Sequence, residues 1–165
     1  MNEQGAEHLV FMPCSISMAR SLLLHGNTLR EFAPVDIPET FPSIRARAIL
    51  PLLIEGLELE LEPLSWLWYV IDIQKRRMIG ELILGKRKYD DHTLQFTLSF
   101  DTVDSEIAYA EDSVDWLLCF LAKTKVKYVL TEMKEEAFMA KAMLEQKGFH
   151  CFEKGGYIQL VRKIS

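Results

Sequence analysis

Leu94-Gln95-Phe96-Thr97-Leu98-Ser99-Phe100, running into Asp101-Thr102-Val103-Asp104-Ser105-Glu106, is the stretch that decides the architecture. Apolar residues at 94, 96, 98 and 100 alternate with Gln95, Thr97 and Ser99, the period-two pattern of a strand with one buried face. Beyond the acidic segment, Ile107, Val114, Leu117, Leu118 and Leu121 recur at helical spacing and predict one long helix to about Ala122. A strand that turns tightly into a helix start offers unpaired N–H groups and a positive dipole end. That is where many α/β proteins hold a phosphate-bearing cofactor.

Working outward, Trp66 to Ile73 is apolar on both faces, as an interior strand should be. Gln74-Lys75-Arg76 turns it into a second strand, Met78 to Leu84, and Gly85 opens a polar turn before the third. Three strands on short links predict an antiparallel meander. Upstream, Leu9 to Met12 reads as a strand stopped by Pro13. Ser15 or Ser17 caps a helix burying Ile16, Ala19, Leu22 and Leu23, and Gly26 stops it. Pro34, Pro38 and Pro42 make residues 33–42 a loop, and Ile44, Ala48, Leu52 and Leu53 resume a helix that Pro51 either kinks or splits. Downstream come a strand at Tyr128 to Leu130 and a helix from about Glu135 to Lys147. Gly148 ends that helix, with Phe149 folding back, and a hairpin follows, turned at Lys154-Gly155-Gly156. The order is βααβββαβαββ.

At 165 residues, 49% apolar and 26% charged, the chain reads as a single globular domain, residues 1–165, large enough to enclose a cleft. A net charge of −5 argues against nucleic acid, which rewards a basic surface. Cys14, Cys119 and Cys151 are odd in number and far apart, so they read as buried reduced thiols of a cytoplasmic protein, with no metal-ligand spacing. The polar, acidic Met1 to Glu7 has no signal-peptide character, and the apolar run near Leu64 to Ile71 is too short to cross a bilayer. No membrane partner is expected, and monomer and homodimer both remain open.

Several phrases carry a family resemblance. Trp66-Leu67-Trp68-Tyr69-Val70-Ile71 precedes Met78-Ile79-Gly80-Glu81-Leu82, Ala108-Tyr109-Ala110 opens the long helix, and Met143-Leu144-Glu145-Gln146-Lys147-Gly148-Phe149 closes the last one. With the element order, these resemble the GNAT superfamily of N-acetyltransferases, most nearly its ribosomal-protein N-terminal acetyltransferase branch. The resemblance implies a GNAT-like α/β fold with a mixed, mainly antiparallel twisted sheet and helices on both faces. It also implies acetyl-CoA as cofactor and a small-molecule or peptide amine as partner. By the same resemblance, Leu98, Ser99 and Phe100 offer backbone to the pantetheine. Ser105, Glu106, Ile107, Ala108, Tyr109 and Ala110 stand where the family's pyrophosphate loop lies.

Aligned on Tyr109-Ala110, that loop's arginine becomes Ser105 and its glycines become Glu106 and Ala108. The acid often found on the third strand falls at Gln95, which is no general base, and a tyrosine that serves relatives as general acid falls at Leu144. Residues 101–122 hold six acids and no base, a poor match for a pyrophosphate. The catalytic candidates are then Glu81 as base, equally explained as an edge or water-facing carboxylate, and Tyr157 as acid. Two functions stay open: an acetyl-CoA-dependent N-acetyltransferase, and a GNAT-fold binding or partner module without catalysis.

Overall fold

The computed structural model describes residues 7–60, 65–87, 90–134 and 138–164. In chain order these form β1 (Leu9–Pro13), α1 (Ile16–Leu24), α2 (Gly26–Phe32), α3 (Ile44–Glu58), β2 (Ser65–Asp72), β3 (Arg77–Arg87) and β4 (Asp90–Phe100). There follow α4 (Val103–Leu121), β5 (Tyr128–Lys134), α5 (Phe138–Gln146), β6 (His150–Lys154) and β7 (Tyr157–Lys163). The strands share one seven-stranded sheet in the order β1-β2-β3-β4-β5-β7-β6. β1–β2, β5–β7 and β6–β7 pair antiparallel and β4–β5 parallel, the mixed α/β architecture expected.

Two compact units divide the chain, one of Met1–Ile83 with Leu98–Asp112, the other of Leu84–Thr97 with Ser113–Ser165. In the first, β1 lies on β2 in the register Leu9↔Asp72 to Pro13↔Trp68. Its larger core gathers Ala19 and Leu22 of α1, Ala46, Leu50 and Leu53 of α3, and Leu67, Tyr69 and Met78 of the sheet. A smaller cluster joins Leu9, Val70, Ile79 and Tyr109, with Phe11 and Phe100 packed against it. In the second unit β5 pairs with β7 along its full length, from Tyr128↔Lys163 to Lys134↔Tyr157. Phe149 is buried edge-on against Phe96, with ring centroids 6.1 Å apart. Gly148, at φ +87°, ends α5 in the left-handed conformation and lets Phe149 N–H return to Leu144 C=O at 3.1 Å.

Several sequence expectations change here. Gly26 does not stop a helix: His25 caps α1, and Gly26 opens a further short helix, α2. α3 runs unbroken through Pro51, which is exposed, while Ala46, Leu50 and Leu53 hold the opposite face in the core. Packing on that face outweighs the one hydrogen bond lost at the solvent side. Its phase also differs from the expected stripe, since Ile44 and Leu52 are exposed. Gly85 lies inside β3, and β5 extends to Lys134. Only Cys14 of the three free thiols is buried; Cys119 is exposed and Cys151 half-buried. The expected start of the last helix near Glu135 lies outside the described residues.

Candidate active site

Two constructions in the first unit meet at neighbouring residues of β3. The first is a buried carboxylate. Glu81 is 0% exposed, so it is neither an edge nor a water-facing group. Its Oε2 accepts the Ser43 N–H at 3.1 Å, and its Oε1 accepts the Ser43 hydroxyl. Ser43 is at the same time the N-cap of α3, taking the Ala46 N–H on its Oγ at 3.1 Å. One serine thus links the start of α3 to the middle of β3. Tyr69 and Cys14 are buried nearby. Burial, and then the Glu81 charge, pushes the Cys14 thiol up to about 12 and the Tyr69 phenol above its ordinary range.

The second construction is the junction of β4 with α4. A Cβ on Gly80 would stand 3.2 Å from the Phe100 ring and 3.3 Å from the Ser99 carbonyl oxygen. The glycine is therefore what lets the end of β4 lie so close to β3. Asp101 N–H donates to Ile79 C=O at 3.0 Å, fixing the bend. Arg77 donates from Nε to Asp101 Oδ2 at 3.0 Å and also pairs with Asp36, tying the 33–43 loop to the same bend. Arg77 thus staples the loop to the bend through two carboxylates.

At the helix start Thr102 is the cap: its Oγ1 accepts the Ser105 N–H at 3.1 Å. Val103, Asp104, Glu106, Ile107 and Ala108 are exposed, with Ser105 and Ala110 half-buried. Tyr109 turns inward, and its hydroxyl donates to Asp72 Oδ2 at 2.6 Å. Leu98, Ser99 and Phe100 are half-buried, and Phe100 shares the small cluster with Tyr109 and Ile79. The expected strand segment and loop are thus brought together.

In the second unit, the paired register of β4 with β5 runs from Thr93↔Tyr128 to Gln95↔Leu130. Immediately beyond, the Thr131 hydroxyl donates to Phe96 C=O at 2.9 Å. A side chain there takes a strand carbonyl. Tyr157 opens β7, opposite Lys134, and is 56% exposed. Gln95 is half-buried and Leu144 is core. Among the described residues no group of His, Cys, Asp or Glu is placed to hold a metal ion, and no helix is long and apolar enough to cross a membrane.

Ser43 and Asp72 are the partners that sequence reasoning missed. A serine just before Ile44 is a helix-cap signal, but its second bond, to a residue 38 positions away, has no local signature. Asp72 ends an apolar strand, where an acid ordinarily reads as turn chemistry.

Comparison with known proteins gives no match to any family model and none to a curated sequence. Solved structures do match. A point mutant of spermidine N-acetyltransferase SpeG from Vibrio cholerae superposes with TM-score 0.65 at 13% identity, over 96% of this chain and 95% of that one. N-acetyltransferase PseH from Campylobacter jejuni gives 0.61 at 9% identity, over 96% and 99%. Ribosomal-protein-S5-alanine acetyltransferase from Vibrio fischeri gives 0.56 at 14%, over 96% and 94%. The fold is therefore the GNAT-like fold of these N-acetyltransferases.

Proposed function

We propose that this chain works as a GNAT-type N-acetyltransferase, using acetyl-CoA to acetylate a primary amine of a small molecule or a peptide N-terminus. The observation that carries the reading is the junction at Gly80. There Leu98–Phe100 runs over a glycine and bends through Asp101-Thr102 into α4, the segment that the family resemblance assigns to an acyl donor. An extended segment offers its N–H and C=O groups in a row, which suits the amides of a pantetheine arm.

The helix start does not suit a pyrophosphate. Thr102 already occupies the Ser105 N–H, Asp104 and Glu106 are exposed carboxylates in the first turn, and Val103 and Ile107 are exposed apolar groups. On the amine side, a proton must leave the attacking nitrogen. Glu81 is buried and holds Ser43 with both oxygens, so as the base it would act through the Ser43 hydroxyl as a relay. Tyr157 is the candidate acid, being exposed on β7.

The same acidic, capped helix start favours a second reading, a GNAT-fold binding or partner module with a degenerate loop. Within the superfamily we place the chain nearest the ribosomal-protein N-terminal acetyltransferases, on its Trp66–Ile71 and Met143–Phe149 phrases, and in the cytoplasm, on its free thiols. Melting temperature against added acetyl-CoA separates the readings, because a ligand that binds only the folded state raises it. A rise that saturates in the micromolar range, with turnover on an amine panel, is expected. A flat titration into the millimolar range would leave the partner module.

A further inference from the structure

A cavity of about 540 Å³ opens in the first unit, lined by Leu22, His25, Gly26, Arg30, Pro42 and Arg47 among others. Its chemistry is at odds with the chain as a whole. The protein carries a net charge of −5, yet the lining holds two arginines and no Asp or Glu. Among the described residues neither arginine is in an ion pair.

Both guanidiniums are held in place by backbone. Arg30 Nη2 donates to Phe41 C=O at 2.7 Å, and Arg47 Nε donates to the next carbonyl, Pro42 C=O, at 3.3 Å. Arg30 Nη1 reaches Asn27 Oδ1 only at 3.5 Å, and Arg30 Nε is fully buried without an acceptor. The accessible Nη1, held only by that long bond, is the N–H left for an oxyanion to take. Gly26 makes the room: a Cβ there would stand 3.3 Å from Arg30 Nη1. Leu22, Leu23 and Leu24 of α1 also line it, Leu23 and Leu24 with exposed apolar side chains.

We propose that this cavity binds a small organic anion, its carboxylate or phosphate head on Arg30 and Arg47 and a short aliphatic portion along Leu22–Leu24. The site stands independently of the acetyltransferase reading, since it uses none of the residues assigned there.

The test is titration of the full chain with hexanoate, hexyl phosphate and, as a cation with the same tail, hexylamine. Arginine Nε–H resonances and melting temperature are followed together. Saturable binding of at least one anion at about 1 mM or below, with no response to hexylamine, is expected. Which anion binds identifies the head group. Arg47→Gln, a change at an exposed side chain, should weaken binding by about tenfold or more, as should Arg30→Gln if it keeps its circular dichroism. The proposal is overturned by no saturation of either anion up to about 10 mM. It is equally overturned by hexylamine binding as well as the anions, or by unchanged affinity in Arg47→Gln.

Discussion

The Tyr109 hydroxyl donates to Asp72 Oδ2 at 2.6 Å, while Asp72 Oδ1 accepts the N–H groups of Gln74 and Lys75, each at 3.0 Å. One carboxylate, 1% exposed, closes the β2–β3 turn and anchors the first turns of α4. Lys75 lies over the outer face of the same ring, its Nζ 5.4 Å from the centroid. Burial alone would push the Asp72 carboxyl up. The Tyr109 hydrogen bond, the two backbone N–H groups and the nearby His8 outweigh it and hold the carboxyl below its ordinary value.

Removing that hydroxyl tests the anchor. Tyr109→Phe should cost about 1–3 kcal/mol in urea unfolding at neutral pH, because a buried carboxylate loses an acceptor bond. The pH dependence follows from the sign of the shift. A depressed folded-state pKa adds stability that is fully present above the unfolded value, near about 3.9, and is lost as pH falls through the folded value. Tyr109→Phe should therefore flatten the acid limb of the stability curve. A limb identical to the parent's would sink the assignment.

Ser43 serves two partners, which an ordinary cap does not. Ser43→Ala removes the α3 cap and leaves Glu81 short of a donor in the core. The expected loss is roughly 2–4 kcal/mol. Ser15, which caps α1 through Met18 N–H at 3.1 Å in an exposed setting, is the internal control. Ser15→Ala should cost only about 1 kcal/mol. Equal losses in chemical denaturation would show that Glu81 draws nothing from the Ser43 hydroxyl.

Gly80→Ala places a methyl 3.2 Å from the Phe100 ring and 3.3 Å from Ser99 C=O. The carbonyl belongs to the strand and yields less readily than a side chain would. A destabilisation of about 1–3 kcal/mol is expected, with the end of β4 displaced. Amide chemical shifts at Ser99 to Asp101 report the displacement, and an unperturbed segment would refute the close-approach argument.

Glu106 is exposed in the first turn of α4. If acetyl-CoA places its phosphates there, Glu106→Gln should raise affinity about tenfold, the effect of removing one charge ~6 Å from a phosphate at intermediate dielectric. Calorimetric titration of both proteins decides it. Equal constants would put the phosphates away from the helix start.

Legibility differed by kind of interaction. The β4–α4 unit was readable because the alternation at 94–100 and the helical recurrence of Val114, Leu117 and Leu121 are local periods, although Ile107, expected on the same stripe, is exposed. α2 was missed because a seven-residue helix supplies too few repeats to show one, and Gly26 imitates a stop. The α3 stripe was drawn on the wrong residues because Ser43, tied to Glu81, sets where the helix starts and hence which side faces Leu67 and Met78.

Residue order alone thus determined the alternation of strands and helices, the strand-to-helix junction, the Gly148-Phe149 helix end and the acidic character of the α4 start. Each of these is encoded in neighbours a few positions apart. Only the tertiary structure decided that Glu81 is buried on Ser43, that Tyr109 faces Asp72, that Arg77 is spent on Asp36 and Asp101, and that Arg30 and Arg47 line a cavity without an acid. A polar side chain's role depends on which partner folding delivers to it, and those partners are far apart in the chain.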